Sequence, residues 1–167
     1  MLLGSTTNKV TSNDTEALTI QLIAQQRYSE AYELLKIKKV CSMPELYNLA
    51  LCLHWIGNFK EVLSVLENIQ LPPQLNRNSE VIASSNYQQI RSKQNQTDDH
   101  LHGLSYEYVR SFPDLFHDSI VRLKTDCLLQ IGDYTKLITI AQPIAHKGYK
   151  NITEALELAI SANDKRI

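Results

Sequence analysis

The chain is poor in residues that break helices or cross-link a fold. Its 167 residues include five glycines, five prolines and three cysteines. A β-sandwich full of turns would need more glycine and proline, so the composition favours helices. Cys41, Cys52 and Cys127 are odd in number and form no CxxC pair. This argues against a disulfide framework and against a zinc ribbon.

The sequence also lacks a strong net charge and a long apolar run. The formal net charge is −1, so no overall field attracts nucleic acid or an anionic membrane. No stretch of about 18 apolar residues is present to span a membrane. The first eight residues have neither a basic start nor an apolar core long enough for a secretory signal. We therefore expect a cytoplasmic protein that binds neither nucleic acid nor membranes.

One tetrapeptide occurs twice, as Ile56-Gly57-Asn58-Phe59 and Ile131-Gly132-Asp133-Tyr134. Each copy lies between two apolar helical stripes. A third copy, Gln26-Arg27-Tyr28, lacks the glycine. This pattern predicts a repeated helix–turn–helix unit, and such units stack on one another. Two sets of apolar residues fall in register with the turns: Leu22, Leu53 and Leu128 before them, and Ala31, Val62 and Leu137 after them.

Local signals place the borders of the repeats. Ser42 and Glu45 form a capping box with Pro44 in the first turn, which predicts a helix start. Asn151 and Glu154 predict a second capped helix. We expect a flexible tail at residues 1–12 and a single repeat domain at residues 13–167. The expected units are repeats at about 13–41, 42–73 and 113–148, a degenerate pair at 74–112 and a capping helix at 151–163.

The segment 74–112 has the least regular pattern. Asn, Gln and Ser dominate its first part, yet a weakly amphipathic helix fits about Ser79 to Lys93. A flexible insert is the alternative for that part. A further helix is expected from about Asp99 to Ser111. Its core-facing residues would be Leu101, Leu104, Tyr108 and Val109.

With these residues in place, the chain resembles the tetratricopeptide repeat family. The second copy matches best: Leu46, Leu49, Ala50, Leu53, Gly57, Phe59, Val62, Leu66 and Pro72/Pro73. The resemblance implies an all-α fold, a right-handed α-solenoid of antiparallel helix pairs with about eight or nine helices and a C-terminal capping helix. No copy has the leading Trp of the family pattern, and Lys124 and Thr125 stand where Leu and a small residue are expected.

The resemblance also implies a binding surface, because in this family the first helix of each pair lines a concave groove. The predicted groove is mainly apolar and suits an amphipathic helix or an extended apolar peptide of a partner protein. The alternative is that these residues are only core between helices. By register, the groove residues would be Glu16, Ile20, Ile23, Tyr47, Asn48, Leu51, His54, Arg122, Asp126 and Leu129.

Chaperone-binding members of the family clamp a C-terminal carboxylate with Lys and Asn one turn apart. Glu16 and Ile20 stand at those places here, and Glu16 would repel an acidic tail. The sequence therefore argues against that class of co-chaperone.

We expect a non-enzymatic adaptor or scaffold that needs no cofactor and no metal. A dedicated chaperone or assembly factor for a secreted or complex-forming partner is the first alternative, and self-association of the chain stays open. A helical enzyme or metal-binding protein that uses His100, His102 and His117 is the alternative of another class. Stoichiometric zinc or iron in the purified protein would favour this last alternative.

Overall fold

The computed structural model describes residues 12–37, 42–71 and 84–164. Over these ranges the chain is helical and contains no strand, which confirms the all-α prediction. The nine α-helices of the described residues are α1 Ser12–Ala24, α2 Tyr28–Ile37, α3 Met43–Trp55, α4 Phe59–Glu67, α5 Ser85–Gln94, α6 Tyr106–Ser111, α7 Pro113–Ile131, α8 Tyr134–Ala141 and α9 Lys150–Asp164. The predictions for the tail at 1–11, for Cys41, for Pro72/Pro73 and for 74–83 lie outside the described residues.

The three turns that the repeat predicts share one backbone conformation. Gly57 and Gly132 have φ values of 75° and 76°, and Gln26 has a φ of 59° although it is not glycine. The residue after each turn position donates its backbone N–H to a carbonyl five residues earlier, on Leu22, Leu53 or Leu128, at 2.8–3.1 Å. This is the C-terminal helix cap that glycine favours. The predicted register of the three turns is therefore confirmed.

The core follows the apolar stripes. Consecutive helices pack from α1 through α4, then α4 packs on α7, α7 on α8 and α8 on α9. Ala31, Val62 and Leu137, the residues aligned from the sequence, are all fully buried. Cys52 and Cys127 are buried free thiols whose pKa values burial raises to about 11 and about 12. The arrangement of these pairs as a right-handed solenoid stays a prediction.

The two predicted capping boxes have different outcomes. At the start of α3 the Glu45 carboxylate accepts from the backbone N–H of Ser42 at 2.7 Å, as predicted. The cap predicted at Asn151 is wrong, because α9 already begins at Lys150. The Asn151 side chain instead bonds to Arg122 and Asp126 of α7.

The segment 84–112 forms two short helices. Helix α5 covers the described part of the first predicted helix, but it has no buried residue. The helix predicted from about Asp99 to Ser111 is wrong in its middle. A 3₁₀ turn at Asp99–Leu101 is followed by non-helical residues 102–105, and α6 begins only at Tyr106. Leu104 and Val109 are buried, as expected.

Among the described helices, none combines the length and the apolar character that crossing a membrane requires.

Because the turns share one conformation, substitutions at Gly132 and Gln26 should change the free energy of unfolding in opposite directions. Gly132→Ala should lower the free energy of unfolding by about 1 kcal/mol, because a side chain in the left-handed region is strained. Nothing lies within 4 Å of the added Cβ, so packing does not contribute. Gln26→Gly should raise the free energy of unfolding by up to about 1 kcal/mol for the same reason. Urea denaturation of both variants measures these changes. A loss of stability in both variants would show that the backbone strain expected at Gln26 is absent and that the two turns differ.

Candidate functional site

Residues 97–105, which connect α5 to α6, lie across α1, α3 and α7. We call this segment the strap, and we call the side of α1, α3 and α7 that it contacts the groove face. The strap is held mainly by side chains of the groove face that bond to its main chain and to two of its polar side chains. These helices are the ones from which the sequence predicts a binding groove.

Asn48 holds the strap at Leu104. Its Oδ1 accepts from the Leu104 N–H at 2.8 Å, and its Nδ2 donates to the Leu104 carbonyl at 2.9 Å. Asn48 is only 1% exposed, so water does not compete for these bonds. One amide side chain thus pairs with both main-chain groups of a single residue, 56 positions away. Such a contact recognises an extended main chain irrespective of the side chain that it carries.

Tyr47, on the same helix, holds the strap at His100, four residues before Leu104. Its hydroxyl donates to the His100 carbonyl, and its ring packs edge-on against Phe116, with centroids 5.7 Å apart. Tyr47 is fully buried, and burial raises the pKa of its hydroxyl far above the usual value. The hydroxyl therefore stays protonated and keeps its role as a donor at any ordinary pH.

Arg122 of α7 joins the strap to α9. Its guanidinium donates to the Asp99 carboxylate, to the Thr97 carbonyl at 2.7 Å and to Oδ1 of Asn151 at 2.9 Å. The Tyr149 ring lies 4.5 Å away, in cation–π geometry. The Arg122 side chain is 2% exposed, so this cation depends on the carboxylate that the strap supplies.

His100 is the second strap residue whose side chain bonds to the groove face, and it is buried. Its Nε2 lies 2.7 Å from Oδ2 of Asp126, and the other oxygen of that carboxylate accepts from Asn151 at 2.8 Å. His100 Nδ1 is buried and has no hydrogen-bond partner among the described residues. The imidazole therefore bonds through one nitrogen only.

Gly103 lets the strap approach the groove face closely. A Cβ at this position would lie 3.3 Å from the Ile20 Cα and 3.4 Å from the Ile23 Cδ1, tighter than most such contacts. One residue beyond the strap, the Tyr106 N–H donates to the Glu16 carboxylate at 2.7 Å. A side chain at position 103 would therefore force the strap or α1 to shift by a few tenths of an ångström.

A second polar cluster lies beside Asn95, two residues before the strap begins. Asp118 is buried and accepts from Lys147 at 2.8 Å and from the Tyr149 hydroxyl at 2.6 Å. Burial raises the pKa of Asp118, but the bonds from His117, Lys147 and Tyr149 outweigh it and hold that pKa below the usual value. Next to this cluster, Asn95 accepts from the Lys150 N–H and donates to the Lys147 carbonyl.

Six of the ten predicted groove residues lie against the strap: Ile20, Ile23, Tyr47, Asn48, Arg122 and Asp126. Glu16 bonds to Tyr106 just beyond it. At these residues the predicted groove is not open in this structure, because the chain's own strap occupies it. Five of the ten are buried: Ile23, Tyr47, Asn48, Leu51 and Arg122. The other five are partly buried: Glu16, Ile20, His54, Asp126 and Leu129. Their role as contacts of a partner stays a prediction.

The three histidines of the alternative prediction are not gathered at one point. His100 bonds to Asp126, His117 lies 3.7 Å from the Asp118 carboxylate, and His102 is exposed. Within the part of the chain that the structure describes, no three His, Cys, Asp or Glu side chains are grouped to hold a metal ion.

The sequence reasoning missed the strap itself, the bond of its Asp99 to Arg122, and Asn151, which bonds to Arg122 and Asp126. One signal was present: Tyr47, Asn48, Arg122 and Asp126 are polar or hydroxyl-bearing residues on faces predicted to point inward. Inward-facing polar groups require partners, and no neighbouring helix position offered them.

No protein-family model, no curated protein and no solved structure matches the chain.

The bonds of Asn48 give a stability prediction. Asn48→Ala should lower the free energy of unfolding by about 2–3 kcal/mol, because it leaves the buried N–H and carbonyl of Leu104 without partners. Asn86→Ala, at an exposed position of α5, is the matched control and should change it by less than about 0.5 kcal/mol. Urea denaturation compares them. Equal losses in the two variants would contradict the assignment.

The lowered pKa of Asp118 gives a pH prediction. A carboxylate whose pKa is lowered by folding adds stability above its unfolded pKa of about 4, and this stability is lost as the pH falls through the folded pKa. Asp118→Asn should therefore cost about 2 kcal/mol at pH 7, and the difference from wild type should shrink below about pH 4. Denaturation at several pH values, with Asp114→Asn on the exposed first turn of α7 as control, measures it. A cost independent of pH would contradict the charge assignment.

Proposed function

We propose that this chain is a non-enzymatic protein-interaction module that holds an extended segment of a partner protein on its groove face. In this proposal the helix pairs form a tetratricopeptide-like, right-handed stack, and α1, α3 and α7 line its concave side. The observation that carries the proposal is the strap: a segment outside the α-helices already lies there, bound by Asn48, Tyr47 and Arg122.

The chemistry of these contacts supports recognition of a peptide. Asn48 and Tyr47 bond to main-chain groups, which every extended peptide presents, and so they provide affinity without selecting a side chain. Arg122 and Asp126 bond to an acidic and a basic side chain of the strap. Charged contacts of this kind set specificity more than affinity.

The groove face also differs in character from the original expectation. We expected a mainly apolar groove, but the bonds that hold the strap are largely polar, and the apolar contribution is concentrated at Leu104. The proposed ligand is therefore an extended segment with few apolar anchors rather than an amphipathic helix. This follows because an amphipathic helix satisfies its own main-chain groups and would leave Asn48 unpaired.

The test is capture of a partner by the tagged full chain, followed by mapping of the contact surface. We expect cross-links and protection from hydrogen exchange on α1, α3 and α7 when the partner is bound. A footprint on α2, α4 and α8 instead would contradict the groove assignment, and failure to capture any partner from the native lysate would contradict the interaction module.

A matched pair of variants on α1 makes this test sharper. Ile20 is partly buried beside Gly103 of the strap, whereas Leu18 on the same helix is 44% exposed near α2. Ile20→Arg places a long cation where any occupant of the groove face must lie, so the partner should be lost. Leu18→Arg adds the same charge elsewhere and should retain it. Equal capture by both would place the binding site outside the groove face.

A further inference from the structure

The strap is attached by polar contacts more than by buried apolar side chains. Of residues 84–105, only Asn95, His100 and Leu104 are buried, and only Leu104 is apolar. Helix α5, which precedes the strap, buries none of its residues. A segment with few buried apolar side chains has a low free energy of local opening compared with the core helices. The strap can therefore leave the groove face while the helices keep their own apolar contacts.

Release of the strap leaves a set of unsatisfied sites with a defined chemistry. Arg122 would lose its carboxylate and one carbonyl, and Asp126 would lose the imidazole of His100. A buried guanidinium without a carboxylate is strongly unfavourable, so any occupant must supply an acidic side chain at the place of Asp99.

A second requirement comes from the other end of the strap. The close approach at residue 103 favours glycine, because a Cβ there would lie 3.3 Å from the Ile20 Cα of α1 and one of the two would have to shift. The next residue presents its N–H and carbonyl to Asn48 and buries an aliphatic side chain, here Leu104. The occupant that fits this end best therefore carries a glycine followed by an aliphatic residue.

We propose that the strap is an internal competitor for its own groove face, and that the partner segment which displaces it carries the same pattern, Asp-His-x-x-Gly-Leu. This inference rests on the proposed function and adds to it a ligand chemistry and a mode of regulation. The chain is closed when Asp99 to Leu104 occupy the groove face, and open to a partner when they do not.

The experiment uses a fluorescent synthetic peptide with the sequence of residues 95–106, titrated with the full chain. Gly103→Val in the chain should expel the strap but leave the groove face intact. We expect this variant to bind the peptide at least tenfold more tightly than wild type does, measured by fluorescence anisotropy. Peptides that carry Asp99→Asn or Gly103→Val should bind the variant at least tenfold more weakly than the unmodified peptide.

A second chain variant, Asp99→Asn with Leu104→Ala, releases the strap without adding bulk and should give the same gain. If either variant keeps wild-type helicity by circular dichroism and fails to bind the peptide more tightly, the strap is not an internal competitor. If both lose their helicity, the strap is an integral part of the core and the proposal is also overturned.

Light scattering of the wild-type chain tests whether a second copy of the chain occupies the groove face. A monomer is expected. A dimer in which two copies exchange straps would make the occupant a second copy of this chain and overturn the assignment to a partner. The peptide experiment could fail while a captured partner still leaves its footprint on α1, α3 and α7. That combination would overturn the competitor role of the strap but not the proposed interaction module.

Discussion

The buried guanidinium of Arg122 is the interaction on which the arrangement of the groove face depends. A cation removed from water needs a carboxylate nearby and acceptors for its donors. Arg122 finds them in two parts of the chain that are distant in sequence: Thr97 and Asp99 of the strap, and Asn151 of α9. One side chain of α7 therefore fixes the strap on one side and the last helix on the other. The misplaced cap at Asn151 has the same origin, because an amide engaged by Arg122 and Asp126 is not available to cap its own helix.

The same demand explains why no α-helix runs from Asp99 to Tyr106. A continuous helix would satisfy its main-chain groups internally and would turn its polar side chains to water. In the observed conformation the Leu104 N–H and carbonyl are satisfied by Asn48, and Gly103 gives the close approach that this pairing needs. The helical hydrogen bonds that are lost here are replaced by bonds to side chains in a buried site. A bound peptide is likewise held through its main chain by side chains of other elements. This similarity is the basis of the proposed function.

The repeated turns were predictable from sequence, and the strap was not. Gly57 and Gly132 carry a local signal, and even Gln26 could be aligned because the apolar register around it matches the other two copies. The pairing of Asn48 with Leu104 has no local signal, since it joins residues 56 positions apart and depends on the tertiary fold. Gly103 inside a predicted helix was the one local warning, because glycine in a helix interior is unfavourable. Several predicted groove residues contact the strap, yet the sequence could not show that the chain itself covers them.

Native-state hydrogen exchange of the full chain in graded low denaturant is the most direct test of the central claim, that the strap behaves as a ligand of the groove face. The account predicts that the Leu104 amide exchanges through a local opening, with a free energy clearly below that of the core amides of α3 and α7 and with little dependence on denaturant. If Leu104 exchanges with the same free energy and the same dependence on denaturant as those core amides, the strap leaves only when the whole chain unfolds. That result would contradict the account.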